Sequence, residues 1–151
     1  MPTEADTCRT DVVPRLQAAG WDDEPHSIAE QRTITDGRIV PVSRRFIRRA
    51  PKRVDYLLRY TRDFPLAVVE AKAAYRSAFD GLQQAKQYAE MRGLKFAYAT
   101  NGKEIVEFDY FTGVETAHSA YPTPTALWER YCLGASIKNQ TTAEPPHAVQ
   151  S

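Results

Sequence analysis

Glu70 and Lys72 stand two residues apart at the end of an apolar run, Leu66-Ala67-Val68-Val69-Glu70-Ala71-Lys72. In a β-strand, residues two apart project from one face, so a carboxylate and an ammonium would emerge together at the exit of a buried element. Upstream, Asp55 lies within Arg53-Val54-Asp55-Tyr56-Leu57-Leu58, a second β-prone run. Two carboxylates and a lysine brought together can hold a divalent cation and activate a water, the chemistry of metal-dependent phosphodiester hydrolysis. Asp55 and Glu70 offer hard oxygen ligands to Mg²⁺, which keeps several waters and commonly takes only one or two carboxylates, and the carbonyl of Ala71 could add a ligand. Lys72 would orient the water or stabilise the charge that develops during in-line attack. An acid-x-lysine triplet arises often by chance, and the pattern leaves equally open a strand-end salt bridge with Asp55 capping a neighbouring turn. Its position adds weight: this is the only such triplet in the chain, and it ends the strand expected to be central.

Those three residues need elements to position them. Residues 3 to 20 read as a helix, with Thr3 as cap, Val12, Val13, Leu16 and Ala19 as apolar positions, Gly20 as stop and Pro14 as its weak point. Ser27 to Thr35 and Arg38 to Val42 read as strands joined at Asp36-Gly37, a dipeptide that favours a tight hairpin. Arg53 to Tyr60 and Leu66 to Ala71 are two further strands, whose pairing would bring Asp55 near Glu70. From Ser77 to Arg92 the period becomes helical, with Ala78, Leu82, Ala85 and Ala89 on one stripe and Gly93 at the end. Gln84 and Tyr88, four apart, share a helix face, and pattern alone favours a solvent-facing pair. Leu94 to Ala99 and Glu104 to Tyr110 are strands about an Asn101-Gly102 turn, and a short helix follows around Thr125 to Leu133.

The chain has 151 residues, 42% of them apolar, enough for one domain with a real core. Residues 1–134 form that expected domain, and 135–151, polar with Pro145-Pro146, read as a tail or linker. The formal net charge of +1 carries no message about nucleic acid, but its distribution does. Arg44, Arg45, Arg48, Arg49, Lys52 and Arg53 place six cations in ten residues just before Asp55. They suit either a solvated loop that balances the acidic N-terminal segment or an arm that binds DNA phosphates without reading bases. Cys8 and Cys132 match no zinc spacing, and His26 and His118 have no evident partners. Trp21, Phe64, Phe79 and Trp128 read as packing residues rather than base-stacking platforms. Neither a signal peptide nor a membrane span is visible, so a cytoplasmic setting is expected.

Asp55, then Glu70-Ala71-Lys72, then Gln84-Ala85-Lys86-Gln87-Tyr88 is similar to the PD-(D/E)XK nuclease signature with the Gln-x-x-x-Tyr extension of its RecB-like branch. Val54 stands where that signature has proline, a departure that removes no ligand. More narrowly, Glu4 to Arg9, Leu16 to Trp21, Ala67 to Ala73, Gly81 to Lys86 and Phe96 to Gly102 resemble the N-terminal nuclease domain of type I restriction enzyme R subunits, and Tyr121 to Trp128 resembles the segment leading to their motors. The resemblance implies an α/β fold with a central mixed sheet flanked by helices, in the order αβββαβ. It also implies Asp55 and Glu70 as metal ligands, Lys72 as catalytic lysine, Gln84 and Tyr88 as supporting residues near the DNA, and Glu4 as an additional acid at the metal site. The implied function is Mg²⁺-dependent cleavage of double-stranded DNA within a complex that includes methylation and specificity subunits. ATP would enter only through a motor domain, since no Gly-x-x-x-x-Gly-Lys-Ser/Thr loop occurs here, and the chain reads as a nuclease domain whose tail would continue into that motor. A non-catalytic DNA-binding or assembly module of the same fold, or a repair or recombination nuclease, are the alternatives.

Overall fold

The computed structural model describes residues 8–34 and 52–139, with side chains over 10–30 and 55–136. Glu4, the Asp36-Gly37 turn, the strand expected at Arg38 to Val42, Arg44, Arg45, Arg48, Arg49 and the chain beyond 139 lie outside the described residues, as do the side chains of Lys52 and Arg53.

A π-helical turn, Cys8–Val12, leads into helix α1, Val13–Ala18. The single helix expected here is thus divided. Pro14 supplies the reason: it sits in the first turn of α1, where a missing N–H costs nothing, and would break a longer helix from within. Gly20, at φ +103°, reverses the chain so that the Trp21 indole is fully buried and donates to Pro122 O at 2.9 Å.

Among the described residues six strands follow in one sheet, in spatial order β1-β2-β3-β4-β5-β6: β1 Ser27–Ile34, β2 Lys52–Thr61, β3 Phe64–Ala71, β4 Phe96–Thr100, β5 Ile105–Asp109 and β6 Val114–His118. All neighbours are antiparallel except β3 and β4, which run parallel. Parallel neighbours need a crossover, and a 3₁₀ turn, Ala78–Gly81, with helix α2, Leu82–Arg92, provides it. Gly93, at φ +72°, ends α2 as its sequence position leads one to expect.

Leu66 to Ala71 and all of β4 are buried, as a strand covered on both faces should be. On one face α2 packs Ala85, Tyr88 and Ala89 over Leu57, Val68 and Ala97. On the other, Val12, Leu16, Trp21 and Leu127 cover Tyr56, Leu58, Val69, Phe96 and Tyr98. Phe64 and Trp128 join that second layer, Trp128 stacking on Tyr60 at 4.4 Å. His26 Nδ1–H donates to Tyr60 O at 2.7 Å and so helps hold the corner after α1.

Two further elements differ from expectation. Strand β6 carries no apolar alternation because its residues are exposed along nearly their whole length at the sheet edge, so backbone pairing to β5 alone defines it. Helix α3, Pro124–Asn139, runs well past Leu133. Gly134 looks like a stop signal but serves packing: a Cβ there would meet the Phe111 ring at 2.4 Å.

Candidate active site

Strands β2 and β3 pair with Tyr56 opposite Val69 and Leu57 opposite Val68. One step along the same ladder sets Asp55 across from Glu70, and residues directly opposite in an antiparallel pair share a face. That face is the α2 side, because Leu57 and Val68, two residues away on each strand, pack beneath α2. Both acids are buried, Asp55 at 8% exposure and Glu70 at 4%. The Asp55 carboxylate is held in place by the Ala71 N–H, which donates to Oδ2 at 2.8 Å.

Lys72 leaves β3 but stays in register: its N–H donates to Thr100 O at 2.8 Å, prolonging the β3–β4 ladder by one rung. By the two-residue period its side chain returns to the face of Glu70. Gly81 closes the arrangement from above. A Cβ on Gly81 would lie 3.1 Å from Glu70 Cγ and 3.4 Å from Lys72 Cγ, so only glycine lets the start of α2 come down over the acid and the lysine. Gly81→Val should crowd both side chains and lower stability by about 1–3 kcal/mol, with Gly81→Ala costing less because the neighbours are flexible chains. Thermal denaturation of the two variants checks this, and equal midpoints for Gly and Val would mean that the approach is not tight.

Gln84 and Tyr88 separate in the fold. Gln84 is exposed and its Oε1 accepts from Lys72 Nζ at 3.4 Å, while Tyr88 is only 1% exposed, its ring among Leu57, Val68 and Ala97 and its hydroxyl 3.4 Å from Arg92. The solvent-facing reading therefore holds for Gln84 and fails for Tyr88. A tyrosine four residues along the same helix turns slightly inward, and here the core claims its ring. Among the described residues no group of three or more His, Cys, Asp or Glu is placed to hold a metal ion, and Glu4 lies outside them.

The opposite face carries a second polar cluster that the sequence does not signal. Arg130 of α3 donates to both Glu107 oxygens, at 2.8 and 3.0 Å, and to Asp109 Oδ2 at 2.9 Å. Tyr98 donates to Glu107 Oε2 at 2.5 Å, and His118 Nε2 lies 3.3 Å from Oε1. Burial pushes the Glu107 carboxyl up, but hydrogen bonds from Arg130 and Tyr98 outweigh it and hold the group below the usual carboxylate range. Burial first, and Glu107 second, push the Tyr98 hydroxyl well above its ordinary value. This cluster clamps α3 to β4, β5 and β6.

A six-stranded mixed sheet with helices on both faces, and two acids and a lysine gathered where the parallel strands end, defines an α/β domain with a restriction-endonuclease-like core. No family model matches the chain. It is 32% identical, over 98% of its length, to the type I restriction enzyme EcoAI endonuclease subunit of Escherichia coli, and covers 18% of that protein. A solved fragment assigned as an HsdR subunit of a type I restriction enzyme from Vibrio vulnificus YJ016 is 53% identical, with a TM-score of 0.79 over 92% of this chain and 27% of that one. Over nearly its whole length the chain is homologous to endonuclease subunits of type I restriction enzymes, of whose length it spans about a quarter or less.

Proposed function

We propose that this domain is the DNA-cutting module of a type I restriction complex, hydrolysing phosphodiester bonds of double-stranded DNA with the aid of Mg²⁺. The observation that carries the reading is the placement of Asp55, Glu70 and Lys72 on one face at the end of β2 and β3, beneath Gly81. The donor set suits a hard cation: two buried carboxylates and the neighbouring Ala71 carbonyl supply only oxygen. Asp55, Glu70 and Ala71 would hold the ion, with Glu4 as a further acid. A cation bound there would polarise the scissile phosphate and acidify the attacking water.

The remaining work belongs to the protein. The Ala71 N–H fixes the Asp55 carboxylate, so this ligand is oriented before anything binds. Lys72, steadied by Gln84, lends positive charge to the oxygen that becomes negative during attack and holds the water in line. Tyr88 supports the site indirectly, by fixing α2 against the sheet. The arginine-rich run from Arg44 to Arg53 would hold DNA by its phosphates, with sequence choice left to specificity and methylation subunits of the complex. No helix among the described residues is long and apolar enough to cross a membrane.

Cleavage of duplex DNA should require a divalent cation, stop on chelation, resume on adding Mg²⁺, and be lost in Glu70→Gln. DNA binding with no cutting by the assembled complex under any divalent cation would overturn the reading in favour of a docking module.

A further inference from the structure

Among the described residues four large apolar side chains are exposed, and two of them, Tyr75 at 66% and Phe79 at 54%, belong to the single loop that joins Lys72 to Gly81. Phe79 thus lies outside the core that takes Trp21, Phe64 and Trp128. Both ends of this loop touch the site, so its reach is limited: at about 3.6 Å per residue, Tyr75 can lie no more than about 11 Å from Lys72, and Phe79 no more than about 7 Å from Gly81, Cα to Cα.

The loop is also pinned. Asn101 Nδ2 donates to Arg76 O at 2.7 Å, the Phe79 N–H to Ser77 Oγ at 3.1 Å, the Asp80 N–H to Ser77 O at 3.1 Å, and Arg76 Nε to Asp80 at 3.2 Å. Arg76 and Asp80 are paired with each other within the loop, and Tyr75 and Phe79 are its exposed aromatic side chains. With its backbone held in this way, the loop loses little entropy when something stacks on them.

We propose that Tyr75 and Phe79 form a stacking lip that takes unpaired bases of the DNA beside the cleaved bond. The inference rests on the nuclease reading, and it adds the form of DNA that the site grips. Two aromatic residues offer at most about 150–250 Å² each even if wholly covered. A stable protein interface needs about 800 Å² on each side, whereas one or two bases fit the smaller surface.

The test is binding, with metal chelated so that nothing is cut. Fluorescence anisotropy would compare a labelled single-stranded oligonucleotide with its fully paired duplex, for the wild type, Tyr75→Ala/Phe79→Ala and Tyr75→Phe/Phe79→Tyr. The double alanine variant should bind the single strand roughly tenfold more weakly while duplex binding changes little, and the aromatic swap should restore it. Equal single-strand binding by the alanine variant and the wild type, or no single-strand binding by either, would overturn the lip. Wild-type cutting with no such dependence refutes the lip alone, and the dependence without any cutting refutes the nuclease reading alone.

Discussion

Lys72→Ala is expected to lower the rate of Mg²⁺-dependent cleavage by about 10³-fold or more while leaving the fold as it is. The two parts of this expectation come from different atoms. What fixes the residue in the fold is its backbone, whose N–H bonds to Thr100 O, and alanine keeps that bond. What acts at the site is the ammonium, on the side of the sheet that holds Asp55 and Glu70 and within reach of Gln84. Half-buried and near the sheet end, the side chain contributes little to the core, so the melting midpoint should barely move. Lys72→Arg should not restore activity, because a planar guanidinium cannot place its charge where a compact ammonium sits below Gly81. Single-turnover cleavage with saturating protein separates lost chemistry from lost binding. A wild-type rate in the alanine variant would remove Lys72 from the mechanism.

Arg130→Met should produce a marked loss of stability from a single change away from the site. Glu107 is nearly wholly buried, and two of its contacts, with one more to Asp109, come from this one guanidinium. Breaking a buried pair by removing one partner commonly costs about 3–5 kcal/mol; because Arg130 is about a third exposed, roughly 2–3 kcal/mol, or about 5–10 °C in Tm, is the sounder expectation. The pH dependence supplies the check. In the wild type the folded Glu107 carboxyl titrates below its ordinary value of 4.5, so its stabilisation is complete above that pH and is lost as pH falls through the lower folded value. Without Arg130, burial dominates and raises the same carboxyl, so the variant's deficit should be greatest near neutral pH and shrink on acidification. A deficit that is constant between pH 7 and pH 4 would show that Arg130 matters for packing over Phe96, where it also lies, and not for its charge.

The same contrast between local and distant causes runs through the whole fold. Periodicity found α2 and its glycine stop, the buried run of β3 and the turn at Asn101-Gly102, because each is set by neighbours in the chain. The spacing of Glu70 and Lys72 placed both on one strand face for the same reason.

What the sequence by itself determined, then, was the inventory: a mixed α/β domain, and two acids and a lysine of the right type on two strands that could pair. What only the tertiary structure decided was contact between residues far apart in the chain. The β2–β3 register sets Asp55 over Ala71 and across from Glu70, a slip of one residue would have turned it to the other face, and no local signal fixes that register. The close approach of Gly81, the burial of Tyr88, the outward turn of Phe79 and the clamp of Arg130 on Glu107 are likewise properties of packing. Each depends on which surfaces meet, and the chain's local preferences are silent about that.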